Sequence, residues 1–439
     1  MSFLETIKAT GVVGAGGAGF PTHIKLNAKA DTLIINGIEC EPLLETDKYL
    51  MRHEAEVLVK GVERIGNAIE AKRKVIAIKS KNKAEIKAVN EAIEKYGFEI
   101  EIFGTGNFYP AGDEQMLLRE VSGVTLMPGQ IPLSAGIVVT NVATVIDVER
   151  EKPVTHRLVT VTGAVKNPTL IRVPVGTTIK ACVELAGGAS VSDFKVILGG
   201  PMMGKPCEME ELETKVITKT LGGLIVLPKD HLILSRHELS IKHMLSRAST
   251  ACIQCRMCTD LCPRYLNGHP LYPHSVMRSA AMGNTSSDSC LSAMLCCECG
   301  ICELYACPMG LSPKTINQYV KSEFIKTGVK WQNPEDLSVD VHEMREYRKV
   351  PTDRLISRLN LKDYVTHGLE TVIDFEPNRV EIPLKQHIGA PASPVVQNGD
   401  YVKTGDLIAS INEQMGANVH SSIEGTVTIT ENSIIVEKR

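Results

Sequence analysis

The stretch that decides the fold is Cys252-Ile-Gln-Cys255-Arg-Met-Cys258-Thr-Asp-Leu-Cys262-Pro263, and a second run follows it, Cys296-Cys-Glu-Cys299-Gly-Ile-Cys302-Glu-Leu-Tyr-Ala-Cys307-Pro308. In each run three cysteines recur at every third position, and a fourth cysteine precedes a proline. This spacing is typical of [4Fe–4S] ferredoxin loops, because a short loop presents three thiolates to one side of a cubane. The two runs predict an α-helical, ferredoxin-like domain with two [4Fe–4S] clusters over residues 235–330.

The last cysteine of each run decides how two clusters share the chain. In ferredoxins with two clusters, the cysteine before the proline ligates the cluster of the opposite run. Each predicted cluster therefore takes three thiolates from one loop, either the first loop (residues 252–258) or the second loop (residues 296–302), and one from the end of the other run. The ligand sets are Cys252, Cys255, Cys258 and Cys307 for one cluster, and Cys296, Cys299, Cys302 and Cys262 for the other.

Two other uses of these cysteines fit the spacing less well. Zinc ribbons use Cys-x-x-Cys pairs separated by a longer gap, and they need neither a third cysteine at the same interval nor a Cys-Pro end. A disulfide framework is typical of short secreted chains. This chain has 439 residues and 13 cysteines, and its first residues contain no apolar segment followed by a cleavage site. We therefore favour iron–sulfur clusters in a reducing, cytoplasmic compartment.

Length and charge limit the remaining classes of protein. The chain is long enough for about three or four domains. Its net charge of −3 argues against a general nucleic-acid or membrane-surface binder. No apolar stretch reaches the ~18–20 residues that a membrane-spanning helix needs. The best candidate, residues 135–146, is interrupted by Asn141 and predicts a buried strand followed by a turn.

Residues 1–150 predict an α/β domain. Short apolar runs alternate there with amphipathic helical patterns. The predicted elements are strands at 32–36, 74–79 and 99–103 and helices at 54–65 and 83–96. This strand–helix–strand–helix–strand order is typical of a largely parallel sheet.

Residues 154–206 predict a β-grasp domain, in which a small sheet is crossed by one helix. A β-rich stretch begins at residue 158, and Thr177 is expected to cap the helix that follows. A strand at 195–198 then leads into Gly199-Gly-Pro-Met-Met-Gly204. Beyond the cysteine runs, residues 331–379 are polar and predict a partly helical connector.

Residues 380–439 predict an all-β barrel-sandwich domain similar to the biotinyl and lipoyl carriers. Turn signals at 398–400 and 404–406 separate its short apolar runs. Carriers of this kind display a modified lysine at a hairpin tip, but the expected segment, residues 414–420, contains no lysine. We therefore expect a structural or docking module and not a swinging arm.

The second strong motif is Gly14-Ala-Gly16-Gly17-Ala-Gly19-Phe20-Pro21-Thr-His-Ile-Lys25. It formally satisfies the G-x-G-x-x-G dinucleotide fingerprint. A Rossmann loop, however, follows a full strand and opens a helix. Here only two valines precede the loop, and Pro21 removes a backbone donor where that helix would begin. Glycines still let backbone N–H groups approach an anion closely, and Lys25 adds a positive charge, so the loop predicts phosphate binding.

This loop resembles the flavin loop of the FMN-carrying, NADH-oxidising subunit of respiratory complex I. Three later segments resemble segments of the same family in the same order. They are Asn36-Gly-Ile-Glu39-Cys-Glu41-Pro42, Tyr109-Pro-Ala-Gly112-Asp113-Glu114 and Asn141-Val-Ala-Thr144. The resemblance implies that the α/β domain binds FMN and oxidises NADH. Ile38 departs from the family, which has an acidic residue at that position.

The resemblance also implies a role for each matching residue. The FMN phosphate and ribityl chain would be held by Gly14, Gly16, Gly17, Gly19 and Lys25. The isoalloxazine ring would face Asn36 and Glu39, and the pocket would be completed by Tyr109, Asp113, Asn141 and Thr144. NADH would contact Glu41 and Glu114, the candidate catalytic residues, and its base would stack on Phe20.

Residues 199–204 and the two cysteine runs resemble the RnfC subunit of the ion-pumping ferredoxin:NAD oxidoreductases. RnfC carries its barrel-sandwich module before the flavin domain, whereas here the module comes last. That order, the length of the chain and residues 296–311 are most similar to the PduS family, the cobalamin reductases of propanediol-utilisation microcompartments. The implied fold is multidomain α/β: an FMN-binding α/β domain, a β-grasp (SLBB-like) domain, a two-cluster domain and a C-terminal barrel sandwich.

This resemblance implies an NADH-dependent flavo-iron–sulfur reductase. Electrons would pass from NADH through FMN and both clusters to cobalamin, reducing cob(III)alamin or cob(II)alamin toward cob(I)alamin. The D-x-H-x-x-G signature of cobalamin-binding proteins is not present in the sequence. We therefore expect a transient corrinoid contact, or an acceptor held by a partner such as an adenosyltransferase. Microcompartment shell proteins are further expected partners.

Two alternatives remain open. The chain would in one case be an RnfC-like electron-input subunit that exchanges electrons with ferredoxin or a membrane complex. In the other it would be a non-enzymatic, electron-carrying scaffold of a microcompartment shell with a degenerate flavin site, for which Ile38 is the only hint in the sequence.

Overall fold

A parallel sheet organises the N-terminal α/β domain in the computed structural model, which describes residues 1–366, 368–412 and 415–438. Its strands lie side by side in the order Glu101–Thr105, Arg73–Lys79, Thr32–Asn36 and Ile137–Asn141, and all neighbours are parallel. The helices of this domain are Phe3–Thr10, Thr22–Lys25, Thr46–His53, Ala55–Ala68, Lys83–Tyr96, Glu114–Ser122 and Val142–Arg150, with a 3-10 turn at Pro132–Ala135. The predicted parallel α/β sheet is therefore confirmed.

Side chains of each strand alternate between two helical layers. Leu33 and Ile35 of the central strand pack into the core formed with Ala55–Ala68 and Val142–Arg150. Ile34, between them, packs into the opposite core, against Glu114–Ser122. Because helices cover both faces, the inner residues of strands Thr32–Asn36 and Ile137–Asn141 are buried. The polar residues that end them are left at the carboxyl edge of the sheet.

The turn predicted at the end of residues 135–146 is wrong. Strand Ile137–Asn141 passes directly into helix Val142–Arg150. Asn141 has extended backbone angles, and its side chain accepts a hydrogen bond from the backbone N–H of Ala143. An asparagine in this position caps a helix N-terminus and satisfies one of its free donors. The residue that was expected to interrupt the apolar run therefore starts a helix.

The second domain is a mixed six-stranded sheet crossed by helix Ile179–Leu185, as predicted for a β-grasp fold. The sheet reaches beyond residues 154–206, because a central strand and one edge strand come from later in the chain. In spatial order its strands are Val372–Asp374, Thr169–Pro174, His156–Gly163, Gly223–Pro228, Phe194–Leu198 and Lys205–Cys207, with a 3-10 turn at Met209–Glu211. Thr178, and not Thr177, caps the helix by accepting from the N–H of Ala181 at 3.3 Å.

Short helices carry the two cysteine runs. A first helix ends at His237, and Ser240 caps the next one, which leads into the first run. The helices of this region are Leu232–His237, Ile241–Ala251, Met257–Asp260, Pro263–Leu266, Pro273–Ala281, Asp288–Leu291 and Pro313–Lys326, with a 3-10 turn at Ser292–Leu295 and a π-helical turn at Ile301–Ala306. Within the described ranges, no helix combines the length and apolar character that crossing a membrane requires.

The predicted connector binds the domains together. Val350–Pro351 pairs with the short strand Phe108–Tyr109 of the first domain, and Val372–Asp374 extends the β-grasp sheet. Between them lie helix Thr352–Arg358 and the 3-10 turn Lys362–Tyr364. The segment is therefore a structural element of two domains and not a free linker.

Two small antiparallel sheets form the C-terminal barrel sandwich. One contains Arg379–Pro383, Ser433–Glu437, Gly425–Ile429 and Tyr401–Val402, and the other Ser393–Pro394, Leu407–Ser410 and Val419–His420. Of the segment where a carrier would display its lysine, Gln414 lies outside the described residues. The module packs on the rest of the chain: buried Lys219 donates from Nζ to the carbonyl of Gly11 at 2.8 Å and of Asn418 at 2.7 Å.

Candidate redox site

A cleft of about 1420 Å³ opens at the carboxyl edge of the parallel sheet. It lies between the first domain, the β-grasp domain, the barrel sandwich and the second loop. The candidate flavin and NADH residues all line it: Gly14, Gly16, Gly17, Gly19, Phe20, Lys25, Asn36, Glu39, Glu41, Tyr109, Asp113, Glu114, Asn141 and Thr144. Cys297 and Cys299 of the second loop line the same cleft. Residues far apart in the sequence thus form one site.

Two glycines of the glycine loop, Gly16 and Gly19, leave little room for a larger side chain. The N–H of Ala15 donates to the hydroxyl of Thr144 at 2.9 Å. A Cβ on Gly16 would lie 3.0 Å from the side-chain nitrogen of Asn141, and Gly19 has a φ of +71°. The loop leaves no full strand, since Val13 and Pro21 form only an isolated bridge. A cradle of this kind suits a phosphate or sugar chain, and it differs from a Rossmann turn as predicted.

Two asparagines on adjacent strands set the floor of the cleft. Asn36 and Asn141 are register partners at the ends of their strands. Asn36 accepts from the N–H of Ile38 at 3.0 Å and donates to the carbonyl of Gly112 at 2.9 Å. Asn141 donates to the carboxylate of Asp47 at 2.8 Å. Ligand sites of parallel α/β sheets form at this edge, where strand ends and loops converge.

The floor of the cleft also contains half-buried acids. Burial raises the pKa of Glu39 well above its usual value, and the charge of Asp47 adds to this effect. Burial likewise raises the pKa of Asp47 to about 6. Such carboxyls call for hydrogen-bond donors from a ligand, as the N–H and hydroxyl groups of a flavin would supply. Asp47 was not predicted from the sequence, because it follows the second matching segment but belongs to no motif.

Lys25 and Glu114 form an ion pair at 3.0 Å. Their side chains are 33% and 42% exposed, so both face the mouth of the cleft. The candidate phosphate-binding cation and one candidate NADH contact are therefore neighbours. An anionic ligand would compete with Glu114 for the lysine.

Glu41 and Tyr109 face the second loop. The carboxylate of Glu41 accepts from the N–H of Met202 at 2.9 Å, within the segment 199–204. A Cβ on Gly200 would lie 2.2 Å from that carboxylate, so a larger residue there would displace the Glu41 side chain. Tyr109 donates to the carbonyl of Cys299 at 2.8 Å, and its hydroxyl lies 3.4 Å from Glu41. Burial raises the pKa of Glu41 to about 7.

Asp113 joins the cleft to the cysteine domain. It caps helix Glu114–Ser122 by accepting from two backbone N–H groups, and its other oxygen lies 2.9 Å from Nη2 of Arg264. Both side chains are largely buried, at 15% and 11% exposure. Nε and Nη1 of Arg264 are buried with no hydrogen-bond partner of good geometry in the described part of the chain. The charges of Asp113, Cys297 and Cys262 offset the burial of this guanidinium, so its free donors fit an anionic cluster beside it.

The structure brings cysteines of the two runs close together. Burial raises the pKa of Cys258 to about 12, and the neighbouring Cys307, Cys255 and Cys252 add to it. Burial also raises the pKa of Cys302, with Cys296 and Cys262 as charged neighbours. A small internal void is lined by Cys262 together with Cys296, Cys299 and Cys302, and Cys297 lines it too. The last cysteine of each run therefore lies beside the loop of the other run.

Backbone donors point at the sulfurs. The N–H of Glu298 lies 3.4 Å from Sγ of Cys296, and that of Leu311 lies 3.3 Å from Sγ of Cys307. Hydrogen bonds of this kind tune the potential of iron–sulfur clusters. Among the described residues, no three Cys, His, Asp or Glu side chains converge on the position of one metal ion. In a cubane each thiolate binds a different iron.

Comparisons with protein families agree with this division of the chain. The model of the Nuo51 FMN-binding domain matches residues 7–150, and the SLBB model matches residues 158–206. The 4Fe–4S dicluster model matches residues 251–312, and the RnfC barrel sandwich hybrid model matches residues 365–438. These matches confirm the predicted fold class and the predicted FMN and 4Fe–4S cofactors of an NADH-linked oxidoreductase.

One solved structure has a similar fold. The NAD+-reducing [NiFe]-hydrogenase in its H2-reduced state superposes with a TM-score of 0.51 at 20% identity, over 76% of this chain and 63% of that chain.

A component of the proton-translocating ferredoxin:NAD(+) oxidoreductase complex of Clostridium ljungdahlii is 33% identical in sequence, over 60% of this chain and 56% of its own length.

Two relatives match nearly the whole chain. The cobalamin reductase PduS of Citrobacter freundii is 42% identical over 98% of this chain and 95% of its own. The cobalamin reductase PduS of Salmonella typhimurium strain LT2 is 41% identical over the same shares. With the cleft and the paired cysteine runs, these matches establish that the chain belongs to the PduS cobalamin reductase family.

Proposed function

We propose that this protein transfers electrons from NADH to cobalamin through bound FMN and two [4Fe–4S] clusters. The observation that carries the proposal is the shared cleft, in which the glycine loop and the second loop line one cavity. When bound, FMN accepts a hydride and releases electrons singly. The chain's own task is to hold NADH, flavin and clusters in sequence.

The residues divide this task. The glycine loop and Lys25 would hold the FMN phosphate and ribityl chain, and Asn36 and Glu39 would contact the ring. Tyr109, Asp113, Asn141 and Thr144 complete the pocket. Glu114, which is partly exposed at the mouth of the cleft, would contact NADH, and Phe20 would stack on its base. Glu41 would contact NADH beside the second loop, and burial raises its pKa to about 7, so it would keep a proton near neutral pH.

Two clusters are proposed, with crossed ligands. Cys296, Cys299, Cys302 and Cys262 hold the cluster beside the cleft, and Cys252, Cys255, Cys258 and Cys307 hold the other. The grouping of Cys262 and Cys307 with the opposite loops supports the crossing. We keep the domain boundaries at 1–150, 154–206, 235–330, 331–379 and 380–439 as proposals, with the second domain completed by later strands.

The acceptor is proposed from the relatives, which are cobalamin reductases by name. Cobalamin would be reduced toward cob(I)alamin, free or held by an adenosyltransferase. We further propose that the protein works in the cytoplasm, within or on a bacterial microcompartment in contact with shell proteins. A second candidate, an RnfC-like electron-input role, is favoured by the 33% identity to the component of the Clostridium ljungdahlii ferredoxin:NAD(+) complex.

An anaerobic titration tests the function. NADH is added to the purified holoprotein and bleaching of the flavin and cluster absorbance is followed, after which hydroxocobalamin and an adenosyltransferase are added. Bleaching followed by adenosylcobalamin formation supports the proposal. Bleaching without corrinoid turnover refutes the acceptor and favours the RnfC-like role, and no bleaching refutes NADH as donor.

A further inference from the structure

The two cysteine loops have the same backbone shape. In the first loop Gln254 and Arg256 have φ values of +58° and +64°, and in the second loop Glu298 and Gly300 have +61° and +81° at the matching positions. Positive φ is easy for glycine and costs energy for other residues. The first loop therefore carries an arginine where the second loop has the residue that fits best.

The loops differ in where they face. In the second loop Cys299 and Ile301 are buried, at 8% and 2% exposure, and Cys299 borders the cleft. In the first loop Cys255 is exposed. Ile253 and Met257 on either side of it are 61% and 43% exposed. One cluster site thus adjoins the flavin cleft, and the other reaches solvent.

The chain segment that contains the first loop is positively charged. Residues 239–259 contain Lys242, Arg247 and Arg256 but no aspartate or glutamate, whereas the whole chain has a net charge of −3. None of these three cations has a carboxylate partner in the described ranges. The acids at the borders are already engaged: Glu238 with Lys195 at 2.9 Å, and Asp260 with Arg348 at 3.6 Å.

Exposed apolar side chains accompany these cations. Met309, which follows the last cysteine of the second run, is 40% exposed, and Arg247 approaches its carbonyl at 3.4 Å. Exposed apolar residues surrounded by charge are typical of transient protein contacts. We call the patch formed by Ile253, Cys255, Arg256, Met257 and Met309, with Lys242 and Arg247 at its rim, the basic patch.

We propose that the basic patch is the electron exit and docks a protein acceptor whose contact face carries aspartates and glutamates around its redox group. The inference rests on the proposed function. Electrons would pass from the cleft to the second-loop cluster, then to the first-loop cluster, and then across the patch. One NADH supplies two electrons and the acceptor takes one at each encounter, so two encounters reoxidise the chain.

Two inorganic electron acceptors, one anionic and one cationic, test whether electrons leave through the basic patch. The dithionite-reduced holoprotein is mixed with ferricyanide, a trianion, or with hexaammineruthenium(III), a trication, and cluster reoxidation is followed by stopped-flow absorbance. The test variant is R256G, which keeps the loop shape because glycine occupies the matching position 300. The control is K166E, an exposed lysine of the β-grasp domain.

R256G removes one positive charge about 10 Å from a bound trianion. The rate of cluster reoxidation by ferricyanide should therefore fall about eightfold at low ionic strength and about twofold at 0.1 M salt. The rate of reoxidation by hexaammineruthenium(III) should rise by similar factors in R256G. K166E should leave the rates with both acceptors unchanged. Equal rates for R256G and the native protein with both acceptors would overturn the proposal.

A binding measurement separates a protein acceptor from other occupants. The oxidised, resting holoprotein is immobilised, and the dissociation constant of a corrinoid adenosyltransferase is measured at 20 mM and 500 mM NaCl. We expect R256G and R247E to weaken binding severalfold at low salt only. Salt-insensitive binding that both variants retain would overturn the proposal, as would a salt-sensitive dimer of this chain that R256G dissociates.

The two proposals fail differently. If NADH does not bleach the clusters, the proposed function fails, whatever the variants do. If bleaching is normal but charge at position 256 has no effect on ferricyanide, ruthenium or partner binding, only the exit assignment fails.

Discussion

Replacing Arg264 by methionine should loosen the junction between the flavin domain and the cysteine domain. Removing one partner of a buried ion pair costs about 3–5 kcal/mol, because the other charge is left in a medium of low polarity. Asp113 keeps two backbone donors of its own helix. We therefore expect a smaller cost of about 2–3 kcal/mol, within the range for hydrogen bonds to charged groups.

This cost is local and can be measured by hydrogen exchange. Peptides that cover residues 113–122 and 262–267 are followed by mass spectrometry in the native protein and in R264M. A loss of about 2–3 kcal/mol corresponds to about 30- to 150-fold faster exchange in these peptides. Peptides of the barrel sandwich should not change.

Two further variants show whether faster exchange in R264M comes from the loss of the buried ion pair or from a general disruption of the structure. R73M breaks an exposed pair, Arg73 with Glu101 at 2.8 Å, and should accelerate local exchange by no more than about fivefold, since surface pairs are worth at most about 1 kcal/mol. The double variant R264M/D113N removes the stranded charge and keeps a capping oxygen, so it should recover most of the protection. If R264M changes exchange no more than R73M, the buried-pair argument is refuted.

Three other perturbations test the site. C255A should lose about half of the iron and keep its flavin, because the two cofactors lie in different domains; unchanged iron in a metal assay would remove Cys255 from the ligand set. K25A should weaken FMN retention about tenfold, as expected for one contact to a charged group, with native iron content; full flavin occupancy would contradict the phosphate role. Burial raises the pKa of Glu41 to about 7. The contribution of its protonated carboxyl to folding stability is therefore fully present below about pH 4.5 and is lost as the pH rises through about 7. E41Q should therefore reduce the fall in thermal stability between about pH 5 and 7, whereas E210Q, at an exposed site, should leave the native profile; a native profile in E41Q would contradict the burial argument.

Local patterns were sufficient to predict much of the fold. The strand Thr32–Asn36 and the helix Lys83–Tyr96 have the bounds that apolar periodicity predicts. Non-local pairings were not predictable in this way. Gly223–Pro228 lies at the centre of the β-grasp sheet although it follows that domain's helix by many residues. Its apolar run indicates a strand, but the register that places it beside His156–Gly163 depends on tertiary packing.

The candidate site shows the same limit. Every residue taken from the complex I resemblance lines the cleft, because motifs of short spacing are fixed by local backbone geometry. Arg264 and Asp47 were missed, since each acts through a partner distant in the sequence. The sequence signal that was available for Arg264 is its position directly after the Cys262-Pro263 pair. A single-residue shift, from Thr177 to Thr178, separates a predicted cap from the real one, because adjacent threonines have equal propensity for it.

The contact between the barrel sandwich and the glycine loop has a consequence for the ancestry of these proteins. The N–H of Ile388 donates to the carbonyl of Ala18 at 3.1 Å, so the C-terminal module touches the first cofactor motif of the chain. Modules whose junctions lie close together in space tolerate circular permutation, since only a surface connection is cut and another is made. The resemblance to RnfC implies that members of that family carry the same module ahead of the flavin domain. A single permutation would convert one order into the other while the module stays seated on the same loop.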